Sequence, residues 1–275
     1  MHMADALLSP AVGGTMWAVT AGVTAYSAKK LKESGDDPKV PLMGVLGAFI
    51  FAAQMINISI PATGSSGHIG GGMILAILLG PYAAFIVLAS VLSVQALFFA
   101  DGGLLALGCN IFNLAFFPCF LAYPLIYRPI AGRNPSNLKI LVGSVVSVVA
   151  ALQLGAFSVV LETLASGITD LPFKTFLLLM QPIHLAISLV EGVITAAVVS
   201  YVWKARPAVI EAVQGDAPSG VVHLKKVIVF FLAAAVITGG ILSWFASNFP
   251  DGLEWAIEKT SGREELEAPE GGIHS

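Results

Sequence analysis

An all-α integral membrane fold, a helical bundle of about eight transmembrane segments, is predicted by three observations. Hydrophobic residues make up 56% of the chain, charged residues only 11% against about 25% in soluble domains, and the mean hydropathy is +0.85. Apolar runs reach about twenty residues, enough to cross a hydrocarbon core of about 30 Å as helix. Segments of about ten residues with alternating polarity, the mark of a membrane β-barrel, do not occur.

The segments follow in order. Residues 12–28 and 42–58 form the first two, separated by a polar loop with Lys29, Lys30, Lys32 and Lys39. The apolar stretch 69–100 is too long for one crossing at about 1.5 Å per residue, and Gly80-Pro81 breaks it. It reads as a short arm from Ile69 to Leu79 followed by a span over 82–99. Residues 104–126, 140–164, 176–202 and 227–245 complete the bundle. Residues 1–205 are expected to form one membrane domain, and 206–275 a second unit with the last span and an acidic tail.

Charge parity tests the reversal at Gly80-Pro81. With it, Arg128, Arg133, Lys139, Lys204, Arg206, Lys225 and Lys226 share the cytoplasmic side with the first lysine loop; without it, all seven lie outside. The same parity puts both termini, His68 and Asp101 outside. No basic residue precedes Lys29, so a cleaved signal peptide is not expected. From Pro250 onward, seven acids (Asp251, Glu254, Glu258, Glu264, Glu265, Glu267, Glu270) face Lys259 and Arg263, which reads as a solubilising end or a gatherer of cations.

Met1-His2 carries the sharpest chemistry. The α-amine, the residue-2 amide nitrogen and the His2 imidazole Nδ1 can chelate one ion in a plane, a donor set suited to Ni(II) or Cu(II) rather than Zn(II), Mg(II) or Ca(II). The alternative is a frayed terminus. His68, in the glycine-rich loop 61–72, offers a further nitrogen on the same side; alternatively it is an interfacial histidine bonded within its own loop. Ser65 or Ser66 is expected to cap the arm that follows.

Other polar residues within apolar segments need partners or functions. Asn110 and Asn113 lie one turn apart and read as ties between helices or as pocket residues. His184 and Glu191 lie about 10 Å apart along a helix, too far to touch. Gly14, Ala18 and Gly22 recur every four residues and allow close helix contact, either with a partner or within the bundle. Cys109 and Cys119 read as small buried residues. The sequence lacks a P-loop, H-E-x-x-H and G-x-S-x-G, so ATP binding by a P-loop and the corresponding hydrolases are not expected.

The runs Met1-His-Met-Ala-Asp-Ala-Leu-Leu-Ser-Pro10, Gly64-Ser-Ser-Gly-His-Ile-Gly-Gly-Gly72, Leu79-Gly-Pro81, Gln95-Ala-Leu-Phe-Phe-Ala-Asp-Gly-Gly103, Ala106-Leu-Gly-Cys-Asn-Ile-Phe-Asn113 and His184-Leu-Ala-Ile-Ser-Leu-Val-Glu-Gly192 resemble the CbiM/NikM family. These are substrate-binding membrane components of energy-coupling-factor (ECF) transporters for cobalt and nickel. Pro250-Asp-Gly-Leu-Glu254 resembles the PDGLE segment of the accessory N component, which makes the chain similar to a fusion of the two.

The resemblance implies a prokaryotic plasma-membrane importer subunit that binds Ni(II), or Co(II), through Met1, His2 and His68, with Asp101, Asn110 and Asn113 near the pocket. It also implies a T-type transmembrane coupling subunit and two cytoplasmic ATPase subunits; nucleic acid is not an expected partner. The family start commonly reads Met-His-Ile-Pro-Asp-Gly, and Met3, Ala4 and Ala6 depart from it while Asp5 is kept. Two rivals from other classes are an intramembrane enzyme using Asp101, His184 and Glu191, and a secondary transporter with Glu191 as proton carrier.

Overall fold

The computed structural model describes residues 2–34, 39–132, 134–214 and 225–262. Met1, Arg133, Arg263 and the acids Glu264, Glu265, Glu267 and Glu270 lie outside the described residues. A 3-10 turn (Asp5–Leu7) leads into α1 (Pro10–Ser34) and α2 (Val40–Gln54). A hairpin of β1 (Ile58–Ile60) and β2 (Ser65–Gly67) follows, then α3 (Gly72–Leu79) and α4 (Pro81–Phe99). The chain continues through α5 (Leu107–Ala131), α6 (Asn137–Ser166), α7 (Phe173–Ala205), α8 (Pro207–Gln214) and α9 (Lys225–Gly240). A 3-10 turn (Leu242–Phe245) and α10 (Gly252–Ser261) close it.

Among the described residues, α4, α5, α6 and α7 are long and apolar enough to cross a membrane, and α2 is apolar but shorter. They bury one face and leave the other apolar as well: on α7, Met180, Ile187 and Val199 are buried while Leu178, Leu189 and Val193 are exposed. A helix that is apolar all round needs lipid or protein on both sides. The fold is therefore that of a membrane protein.

The expected spans and the helices differ at their ends. α1 continues past Ala28 through Lys29, Lys30 and Lys32, residues that favour helix, and Lys29 and Lys30 pair with Glu33 on the exposed face. The arm expected from Ile69 is helical only from Gly72, because the backbone of Gly70 and Gly71 is tied to the Glu191 and Gln54 side chains and Gly71 is left-handed. Ser65 and Ser66 do not cap that helix; both lie in β2, whose register pairs Ile60 with Ser65 and Ile58 with Gly67. The hairpin is the one β element among the described residues, and Ile58, expected to end the second segment, opens its first strand. Residues 252–261, read as part of an acidic tail, form a capped helix packed on α7.

Gly80 alone joins α3 to α4, which pack against each other. Its φ of 87° lies where side chains are disfavoured, and Pro81 then starts α4 with its ring φ already suited to the first turn.

α1 crosses the bundle on a small face. Gly13, Thr20 and Ser27 are buried, and the Thr20 hydroxyl donates to the Gly108 carbonyl of α5 at 2.8 Å. The Gly14, Ala18 and Gly22 face is exposed, and nothing lies within 4 Å of a Cβ built at Gly14 or Gly22. Internal packing by that face, one of the two sequence readings, is not what the fold uses.

Candidate metal centre

The terminal segment is pinned through its backbone. Met3 is fully buried, its N–H donates to Asn110 Oδ1 at 2.7 Å, and its carbonyl accepts from Asn110 Nδ2 at 3.1 Å and from the Gly103 N–H at 2.9 Å. Asn110 thus acts as a surrogate peptide, satisfying both backbone groups of one residue. Asp5 accepts the Ala106 N–H at 3.0 Å. A Cβ at Gly103 would fall on the Asp5 carboxylate, so a glycine is needed for the segment to lie this close.

These contacts place His2. Its Nδ1 lies 2.7 Å from Asp101 Oδ1, its ring stacks on His68 with centroids 4.9 Å apart and planes at 24°, and its buried Nε2 has no partner. A carboxylate only accepts, so Nδ1 carries the proton. Burial works against the Asp101 charge, but the hydrogen bond from His2 and the positive groups around it together outweigh burial and hold the carboxyl below its usual value.

His68 follows β2. Its Nδ1–H donates to the Ile69 carbonyl at 3.1 Å, which fixes the tautomer and leaves the lone pair on Nε2. Burial pushes this imidazole down to about 3, so at neutral pH it is an uncharged nitrogen donor.

The loop beyond His68 hangs on Glu191 of α7. The carboxylate accepts the Gly70 N–H at 2.7 Å and the Gly71 N–H at 2.9 Å, while Gln54 Nε2 donates to the Gly70 carbonyl at 2.7 Å. Gly71 has φ 73°, and the Ile50 side chain occupies the space a Cβ would take. The sequence separation of His184 from Glu191 is respected, since His184 Nδ1 bonds the Met180 carbonyl within α7. Asn113 does not reach His2 or His68: its amide donates to Glu162 at 2.7 Å and lies 3.9 Å from the Met3 sulfur.

A cleft of about 480 Å³ leads to His2. Asp5, Asp101, Asp251 and Glu254 line it, and among the described residues no lysine or arginine does, a charge arrangement that attracts cations. Among the described residues no three His, Cys, Asp or Glu side chains are placed to hold one metal ion. A metal at this spot would need backbone or terminal nitrogens beside the imidazoles. Asp251 and Glu254, read from the sequence as tail acids and as part of the PDGLE-like run, are brought to this cleft by residues far away in sequence.

A polytopic membrane protein with two stacked imidazoles under an anionic cleft belongs with proteins that move metal cations. Residues 2–209 match the family described as CbiM, cobalt uptake substrate-specific transmembrane region, and residues 225–275 match the PDGLE domain. The chain belongs to the CbiM family, whose members include nickel and cobalt transport proteins, and carries a C-terminal PDGLE extension. It is 39% identical over 211 residues to the putative fused nickel transport protein NikMN of Archaeoglobus fulgidus, covering 77% of this chain and 68% of that one. It is 28% identical over 176 residues to the cobalt transport protein CbiM of Sorangium cellulosum, covering 63% and 77% respectively. A crystal structure of a truncated transition metal transporter superposes with a TM-score of 0.66 at 33% identity, covering 74% of this chain and 99% of the other.

Proposed function

We propose that this chain is the substrate-binding subunit of an ATP-driven ECF importer. It takes Ni(II) as cargo from the outer face through the Met1 amine, the His2 amide nitrogen, His2 Nδ1 and His68 Nε2. The observation that carries the reading is the stacking of His2 on His68 at 4.9 Å, with His68 tautomerically fixed to present Nε2. An all-nitrogen planar set favours Ni(II), with low-spin Co(II) as the second reading in view of the cobalt-named relatives. Cu(II) binds such a set at least as well, so its exclusion rests on availability and coupling.

The His2 hydrogen bond supplies a loading step. Nδ1 faces Asp101, whereas the chelate needs it. Turning the imidazole about its Cβ–Cγ bond, with its proton passed from Nδ1 to Nε2 by way of Asp101 or water, frees the Nδ1 lone pair and puts an Nε2–H beside Asp101, forming a carboxylate–histidine–metal chain that orients the ligand. The exposed Gly14, Ala18 and Gly22 face is the proposed seat of the coupling subunit, and two ATPase subunits supply the energy.

The test is equilibrium Ni(II) binding by the purified full chain with its native start. One residue added ahead of Met1, His2→Ala and His68→Ala are each expected to abolish stoichiometric binding, and a yellow diamagnetic Ni(II) spectrum is expected for the parent. Retained binding in the extended protein, or a paramagnetic octahedral spectrum, excludes the site.

A further inference from the structure

The PDGLE segment lies on the metal centre. The Ser66 N–H donates to the Pro250 carbonyl at 2.8 Å, the Ser66 hydroxyl to the Phe249 carbonyl at 2.7 Å, and Trp255 Nε1 to the Thr63 carbonyl at 3.0 Å. Ser247 ties to the opposite strand end, its N–H donating to the Asn57 carbonyl at 2.8 Å. The hairpin that delivers His68 is thereby strapped to a segment almost two hundred residues later in the chain.

α10 is built to hold one carboxylate at that strap. Asp251 accepts the Leu253 and Glu254 N–H groups at 2.7 and 2.9 Å, and Glu254 returns the bond to the Asp251 N–H at 2.9 Å, closing a capping box. Leu253, Ala256 and Ile257 bury the inner face. A Cβ at Gly252 would sit 3.2 Å from His184 Cε1, so the helix start presses directly on α7.

Asp251 lines two spaces at once. One is the cleft of His2 and Asp101; the other is a small cavity bounded by His68, His184 and Gly252. In the second, an independent sign of a ligand is present. His184 is 1% exposed, its Nδ1–H is spent on Met180, and its Nε2 lone pair lines the cavity with no partner. An acceptor of this kind, buried beside a carboxylate, calls for a cation or for a water that a cation holds.

We propose that Asp251 makes the PDGLE segment the lid of the metal centre: its carboxylate faces a divalent transition-metal cation from outside the coordination sphere, with His184 Nε2 accepting from a water on that cation. The lid slows release of the ion outward. This rests on the binding reading above, and it gives the C-terminal extension a part in retention separate from the coordination of the ion.

The test is Ni(II) affinity and the rate of Ni(II) loss to excess chelator, measured on the full chain in detergent. Asp251→Asn keeps a good N-cap, so α10 stays in place, but removes the charge. It is expected to weaken binding about tenfold, mostly through faster release, in line with the effect of an outer partner on a metal site. Hydrogen exchange over 247–262 is expected to stay as in the parent. Trp255→Phe, which loosens the strap and keeps the charge, is expected to speed release with faster exchange over the same residues. Parent-like affinity and release in Asp251→Asn, with binding lost in His68→Ala, overturns the lid; binding retained in His68→Ala overturns the site itself.

Discussion

Two segments bring an imidazole to the same spot, and they are fixed there by different chemistry. The terminal segment carrying His2 is held by neutral, amide-type bonds from Asn110 and the Gly103 N–H to Met3. The loop carrying His68 is held by a buried carboxylate that takes two backbone N–H groups. The first kind of bond is worth about 1 kcal/mol net and can open one residue at a time. The second involves a charge that has no other place to go inside the bundle. On the proposed function, the difference sorts the two imidazoles into a fixed donor on the loop and a movable one on the terminus, as capture and release of an ion require.

Glu191→Ala is the harshest way to break that contrast. It leaves the Gly70 and Gly71 N–H groups unsatisfied in a buried place, at about 1–3 kcal/mol for each donor. Loss of Ni(II) binding together with a lower thermal midpoint in the absence of metal is expected, because the loop packs on Ile50 and Leu114. Glu191→Gln keeps one acceptor and is expected to fall between. A midpoint unchanged in both variants would show that the loop is not tied to the fold through this carboxylate.

Asn110→Ala removes the other clamp. The buried Met3 N–H loses its acceptor, while its carbonyl keeps the Gly103 N–H. The same cost of about 1–3 kcal/mol falls here on a few residues at the chain end, which can peel away rather than unfold the bundle. Ni(II) affinity is expected to drop about tenfold to a hundredfold at an unchanged metal-free midpoint, with faster hydrogen exchange confined to residues 3–8. A fall in midpoint as large as that of Glu191→Ala would erase the distinction between the two segments.

How much of this was legible follows the same division. Met1-His2 and the Ser-Gly-His loop could be picked out because their chemistry lies in residue type and position. The pairing of Asp101 with His2 and of Asn110 with Met3 spans about a hundred residues, and no spacing rule encodes it. Glu191 was noticed as a costly charge in an apolar helix, but its partners are backbone groups, and any glycine-rich loop offers those alike. Of the eight expected segments, the four that coincide with α4 to α7 were readable because apolar length is local; the hairpin was not, since three-residue strands fall below any periodicity. α10 did leave a signal: Asp251 and Glu254 have capping-box spacing, and Leu253, Ala256 and Ile257 form one apolar face. Its acidity hid it.

The mildest variant bears on the movable side alone. Asp101→Asn replaces the carboxylate that takes the His2 Nδ1 proton with an amide that accepts the same bond without charge. The charge acts in opposite directions on the two states. With Nδ1–H on Asp101 it holds that nitrogen away from the chelate; with the ring turned and the proton on Nε2, it polarises Nε2–H and strengthens the bound ligand. If the second effect is larger, Ni(II) affinity falls by about tenfold or less and binding slows little; if the first is larger, binding speeds up while affinity stays level. Stopped-flow mixing with Ni(II), followed by the absorbance of the planar complex, separates these outcomes. The expected result is faster binding with modestly faster release, the pattern of a donor that must turn to load. An effect as large as that of His2→Ala would mean that Asp101 ligates the ion itself, and the ring-turning step would have to be given up.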